Sequence, residues 1–245
     1  MTNKQERFLG VPVGALTRQE LLDDIGKQIE RGAKSTLIAI NPEKILTAQK
    51  NETLKRLIEE ATYRIPDGIG VLIASRLKGG AITERIPGIE MFEELVKLAD
   101  ENRYPVFLYG AKEEIVKTAA GKLQERYPGL LIAGSLNGYQ QDEEAVVREI
   151  RASGAKMLFI AKGSPRQELW IEEHMASLPD VLVFQGVGGS FDVLAGKVKR
   201  APQSFQRLGL EWLYRLLQEP SRIKRQLLLP VFLLRVMVER VKQRS

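Results

Sequence analysis

Five short apolar runs recur along the chain, at residues 36–40, 106–109, 130–133, 157–161 and 181–185, and stretches of helical period lie between them. Runs of four or five consecutive apolar positions are too short for helices and read as strands buried on both faces. The stretches at 18–30, 45–60, 69–77, 88–101, 113–126, 143–152 and 167–177 carry apolar residues three and four apart, the period of a helix with one buried face. Strand and helix in alternation specify βαβ units. The expected fold class is therefore α/β, a Rossmann-like, mostly parallel sheet with helices on both faces.

Ligands of open α/β sheets sit outside the carboxyl ends of the strands, so the turns after the apolar runs hold the candidate residues. Gly186, Val187, Gly188 and Gly189 follow the last run, and glycine lets a ligand approach the backbone because no Cβ intervenes. The turn departs from the dinucleotide fingerprint, since Phe191 stands where Gly or Ala is required. Gly196-Lys197 is followed by Val198 and is no P-loop. A close-packed strand-to-helix turn and a phosphate cradle fit this stretch equally. Asp192, just beyond, is suited to accept hydrogen bonds from a ribose or base, or to cap the next turn.

Pro66-Asp67-Gly68-Ile69-Gly70 sets a carboxylate in a glycine-flanked turn, where a general base could stand; the commoner use of such an Asp is to cap the following helix. Asn41, after the first run, suits either orienting a hydroxyl or an Asx turn. Arg85 stands just before another helix start, where an exposed surface residue is the ordinary reading. Lys162-Gly163-Ser164-Pro165-Arg166-Gln167 opens a helix whose free N–H groups favour an anion, and Gln167 there is able to hydrogen-bond a sugar or a phosphate.

Composition narrows the classes. The chain of 245 residues has no cysteine and one histidine, so disulfides and thiolate metal sites are excluded and a transition-metal site is not expected. Met1 to Arg7 are polar, with no signal-peptide core. The longest apolar stretch, 227–238, contains Pro230 and Arg235 and falls short of the roughly 20 residues a membrane span needs. Charge is unevenly placed: residues 195–245 carry 12 Lys and Arg against 3 Asp and Glu, although the whole chain is only +6. The expected division is a core domain at 1–195 and a basic helical appendage at 196–245. In that appendage Arg207, Arg215, Arg222, Lys224, Arg225, Arg235, Arg240 and Lys242 interleave with Leu, Val, Phe, Trp and Tyr. An apolar face with basic flanks suits the surface of an anionic bilayer, and equally a helix docked on the core or an oligomer contact.

Taken together, Ile40-Asn41-Pro42-Glu43, Pro66-Asp67-Gly68-Ile69-Gly70, Leu108-Tyr109-Gly110-Ala111, Gly163-Ser164-Pro165-Arg166-Gln167-Glu168, Gly186 to Asp192, Lys199-Arg200-Ala201-Pro202 and Leu210 to Leu216 resemble the WecG/TagA/CpsF glycosyltransferase family, in order and over nearly the whole chain. The long tail makes the resemblance strongest to its TagA branch. The resemblance implies inverting, metal-independent transfer of N-acetylmannosamine from UDP to undecaprenyl-diphosphate-linked N-acetylglucosamine, for the linkage unit of wall teichoic acid. By the same resemblance Asp67 is the catalytic base, with Asn41, Arg85 and Gln167 as its companions. Gly110, Ala111, Tyr139, Gly163, Gly186, Val187, Gly188, Gly189 and Asp192 form the nucleotide-sugar side, and Arg215, Arg222, Lys224 and Arg225 meet diphosphate and membrane. Ala39 departs from relatives that place a Thr there, which removes a hydroxyl from the site.

The implied partners are a UDP-sugar, a polyprenyl-diphosphate acceptor and the inner face of the cell membrane, with a homo-oligomer as a further option. No cofactor and no nucleic acid are expected. Three alternatives stay open on the residues alone: a family member using another donor such as UDP-N-acetylmannosaminuronic acid, an α/β dehydrogenase, and a non-catalytic basic module for membrane or nucleic acid.

Overall fold

The computed structural model describes residues 4–218, 223 and 227–242 and, of Arg207 and Arg215, the backbone alone. A hairpin opens the chain: β1 (Gln5–Phe8) pairs antiparallel with β2 (Val11–Gly14), turned by Leu9 and Gly10, both at positive φ. Then follow α1 (Arg18–Glu30), β3 (Ser35–Ile40), α2 (Pro42–Ala48), α3 (Glu52–Glu60), β4 (Tyr63–Pro66), α4 (Ile69–Lys78) and α5 (Gly88–Asn102). The second half runs β5 (Val106–Gly110), α6 (Glu113–Arg126), β6 (Ile132–Leu136), α7 (Glu143–Ala152), β7 (Met157–Ala161), α8 (Arg166–His174), β8 (Val183–Gly186) and α9 (Ser190–Leu194). Tail helices follow, among them α10 (Gln203–Arg207), α11 (Glu211–Gln218) and α12 (Leu228–Lys242).

Six strands form one parallel sheet in the order β4-β3-β8-β7-β5-β6. Residue parity divides its two faces. Leu37, Val106, Leu108, Met157, Phe159 and Val183 face α1, α5, α6 and α9, while Ile38, Ile40, Phe107, Leu158, Ile160 and Phe184 face the opposite helices. Apolar residues on both parities are what a strand covered on both sides requires, so the expected α/β class holds.

Three local expectations are corrected. The helical stretch at 45–60 is two helices, because Asn41 caps α2 ahead of Pro42 and Asn51 starts α3 by accepting from the Leu54 N–H. The strand expected at 130–133 begins at Ile132 and runs on to Leu136, since Leu130 is held back in a turn by its bond to the Tyr127 carbonyl. Strand β4 was hidden by Arg64 and Pro66. Arg64 lies among buried neighbours with one guanidinium nitrogen donating to the Glu59 carbonyl, and Pro66 closes a sheet-edge strand where a missing N–H is tolerated.

The last helix docks on the body of the molecule. Phe232 and Val236, four residues apart and fully buried, enter the cluster formed by Phe8, Val11, Val71 and Ile45. Phe232 meets Phe8 edge to face at 6.2 Å between ring centroids. Glu239 accepts from the Leu9 N–H and from Lys78 Nζ, at 3.3 and 3.2 Å. Gly70 lies directly under Leu229, where a side-chain carbon would overlap both Leu229 and Pro42.

Candidate active site

The chain leaves β3 toward one face, where α2 packs on Ile38 and Ile40, and leaves the neighbouring β8 toward the other, where Phe191 of α9 joins Leu37. Adjacent parallel strands whose successors diverge open a crevice at their carboxyl ends. A cavity of about 540 Å³ lies there, spanning the ends of β4, β3, β8 and β7.

Asn41, Asp67, Arg85, Gln167, Gly163 and the whole 186–189 turn line this cavity. Asp67 follows the end of β4, held by its backbone N–H on the Ile40 carbonyl at 2.9 Å, and its side chain is half-buried. The helix-capping use of Asp67 is not realised: the N-cap residue of α4 is Gly68, at φ +86, and no side-chain cap bond to that helix is made among the described residues. Asn41 does cap α2, its Oδ1 accepting from the Lys44 N–H at 2.8 Å. Since Oδ1 is taken, the amide NH2 is the part of Asn41 suited to a ligand. Gln167, 5% exposed, accepts from the Gly188 N–H through Oε1 at 3.2 Å. Its side chain packs so close to Gly186 that a Cβ at that position would overlap it. Here the glycine serves protein packing as well as ligand approach.

Arg85 is engaged by the tail. Its Nη1 donates to Glu211 Oε2 at 2.8 Å and its Nη2 to the Gln206 carbonyl at 3.1 Å, with both side chains largely buried. Glu211 and Trp212 of α11, Gly209 before it, and Leu228 and Leu229 of α12 complete the cavity wall. Sequence reasoning placed none of these five in the pocket, nor Lys44 or Ser164. A tail residue gives no local sign of which strand end it will cover.

The remaining candidates lie elsewhere. Gly110 and Ala111 end β5, bonded to the end of β7 through the Ala111 N–H and the Ala161 carbonyl, and a Cβ at Gly110 would meet the Ala161 backbone. Tyr139 follows β6 and is 72% exposed. These three continue the carboxyl edge past β7 and do not line the cavity. Asp192 sits in α9, half-buried and outside the lining, its carbonyl accepting from Lys197 and Val198. Of Arg215 only the position in α11 is described, and Arg222, Lys224 and Arg225 lie outside the described residues.

A second crevice between β7 and β5, whose successors α8 and α6 also take opposite faces, is filled by side chains. Lys162 Nζ donates to Glu143 Oε1 at 2.6 Å and to the Tyr109 hydroxyl at 2.9 Å, and Trp170 Nε1 donates to Glu143. Burial works against the Glu143 carboxylate, but the bonds from Lys162 and Trp170 outweigh it and hold its pKa below the ordinary value. Burial likewise opposes the Lys162 ammonium, and Glu143 and Tyr109 together raise its pKa regardless. The Tyr109 hydroxyl is raised, chiefly by burial.

The N-acetylglucosaminyldiphosphoundecaprenol N-acetyl-beta-D-mannosaminyltransferase of Bacillus subtilis (strain 168) is 37% identical over 217 residues, covering 89% of this chain and 84% of that protein. The model of the Glycosyl transferase WecG/TagA/CpsF family matches residues 6–245, cavity and docked tail included. A match over this length makes the chain a member of the WecG/TagA/CpsF glycosyltransferase family.

Proposed function

We propose that the protein transfers N-acetylmannosamine from UDP to N-acetylglucosamine carried on undecaprenyl diphosphate, the reaction for which the Bacillus subtilis relative is named. The single observation that carries the proposal is that Asp67, Asn41, Arg85 and Gln167, from four separate stretches of chain, share one cavity with the 186–189 turn. Asp67 takes the proton of the attacking sugar hydroxyl as its oxygen bonds to the anomeric carbon of the donor. The bond from that carbon to UDP breaks on the opposite side, which inverts the centre, and UDP departs carrying the electron pair. The Asn41 and Gln167 amides orient the two sugars. Gly110, Ala111, Tyr139 and Asp192, further along the same edge, receive the nucleotide end.

Departing diphosphate needs positive charge close by. Arg85 lines the cavity as a companion of Asp67 but is already paired with Glu211, so on this reading Arg215, Arg222, Lys224 and Arg225 of the tail supply that charge when the acceptor is bound. On this reading residues 196–245 act as a membrane-facing unit of a core enzyme at 1–195, on the inner face of the cell membrane. In support, Leu227, Val231, Leu234, Val238 and Val241 are exposed at spacings of three and four along the tail, beside exposed Arg235 and Lys242. No helix among the described residues is long and apolar enough to cross a membrane.

Release of UDP from a panel of UDP-sugars, with and without a lipid-diphosphate N-acetylglucosamine acceptor, tests the reading. Acceptor-dependent release with UDP-N-acetylmannosamine is expected. Faster release with the uronic acid donor would reassign the sugar, and no release with any donor would overturn the enzyme proposal.

A further inference from the structure

Lys44 and Glu168 form an ion pair that no part of the proposed chemistry uses. Lys44 Nζ lies 2.6 Å from Glu168 Oε1, with side chains 10% and 2% exposed. The second oxygen of Glu168 is buried with no hydrogen-bond partner. Taking two charges this far out of water is costly, and apolar residues of similar size would often serve stability as well or better. Stability alone does not account for the pair.

Its placement does. Lys44 is in the first turn of α2, and its backbone N–H fixes the Asn41 amide. Glu168 is in the first turn of α8, and its Oε1 also receives Gln167 Nε2 at 3.4 Å. The strands preceding these helices, β3 and β7, are not neighbours; β8 lies between them. The glycine turn after β8 is tied in as well, through the Gly188 N–H on Gln167 Oε1. One ionic bridge therefore ties together the two helices whose first turns carry the cavity-lining amides of Asn41 and Gln167. We infer that Lys44 and Glu168 are positioning residues: the pair holds the Asn41 and Gln167 amides at the spacing the sugar-transfer step requires. A misplacement of about 1 Å in such groups is enough to cost about a hundredfold in rate.

The inference rests on the transfer reading, and its test separates the two. Lys44→Met and Glu168→Gln each strand one buried partner, so either variant would lose both stability and turnover. The double variant Lys44→Met/Glu168→Leu removes both charges and restores an apolar contact. The expected result is a thermal midpoint at or near wild type, kcat still reduced about a hundredfold, and KM for the UDP-sugar little changed. Lys44→Arg, which keeps the charge, is expected to recover part of kcat. Return of kcat together with the midpoint in the double variant would overturn the inference, because the pair would then be structural only. Should the double variant fail to fold, Glu168→Gln alone decides: wild-type kcat and unmoved Asn41 and Gln167 side-chain amide resonances in a ¹H–¹⁵N spectrum would overturn it. Those resonances are recorded for wild type and all variants. If wild type turns over no donor, the transfer reading falls, and the resonances alone decide the positioning role.

Discussion

Two crevices at the carboxyl edge of the sheet, between β3 and β8 and between β7 and β5, have the same topological origin and opposite contents. Between β3 and β8 the chain leaves a cavity of about 540 Å³ walled by Asp67, two amides and glycines. Between β7 and β5 the same divergence of helices is plugged by Lys162, Glu143, Tyr109 and Trp170, bonded to one another. Topology thus provides more than one place for a ligand, and between these two it is side-chain volume that distinguishes the open one from the filled one. The glycines at 186, 188 and 189 keep the first empty, whereas two aromatic rings 5.0 Å apart fill the second.

Substitutions at the two crevices should separate along that line. The largest effect is expected at the open one: Asp67→Asn keeps the shape but removes the proton acceptor, so kcat should fall by about 10²–10⁴-fold while UDP-sugar affinity survives in a titration. Unchanged turnover would remove Asp67 from the chemistry. At the plugged crevice Lys162→Met should act on stability, lowering it by about 1–3 kcal/mol in chemical denaturation. Glu143 is partly exposed, which keeps the loss below that of a fully buried pair. Turnover there should fall far less than in Asp67→Asn, and a comparable fall would erase the distinction between the crevices.

The smallest effect concerns pH. The Glu143 carboxylate titrates below its unfolded value, so its ionised form contributes stability that is complete above the unfolded carboxylate pKa of about 4.3 and lost as pH falls through the lower folded value. Glu143→Gln should flatten that acid limb in denaturation curves measured below about pH 5. A wild-type limb of unchanged slope would assign the acid sensitivity to other carboxylates. The core contact of the tail is open to the same kind of test: Phe232→Ala, emptying a fully buried ring site, should cost about 3–5 kcal/mol. A cost near zero would mean that α12 contributes nothing to the core.

Much of the sheet was legible because strands covered on both faces must be apolar at every position, as 157–161 is. The helices at 18–30, 113–126 and 143–152 were legible to the residue, each with a single apolar face. Strand β4 was not, since a buried Arg and a terminal Pro break the pattern that identifies strands. Asn41, Gln167 and Gly186 to Gly189 could be placed after legible strands and Asp67 only in a glycine-flanked turn, and the parallel order of the sheet brings them to one edge. The tail was ambiguous for a specific reason. Phe232 and Val236 form one stripe on α12, and Leu234, Val238 and Val241 form another. Sequence offers two apolar faces and does not say which one meets the protein. Lys44 and Glu168 were unreadable for the opposite reason: each looks like an ordinary charged residue in the first turn of its own helix, and only the tertiary fold pairs them.

Gly70 carries a consequence beyond its local turn. With a hydrogen atom in place of a side chain, it lets Leu229 rest where the first turn of α4 meets Pro42. Even one methyl group there would overlap both Leu229 at the start of α12 and the ring of Pro42 at the start of α2, two residues of the cavity's own lining. The seat of the last helix is therefore tied to a residue in the first third of the chain, because any side chain at position 70 forces Leu229 or Pro42 to move.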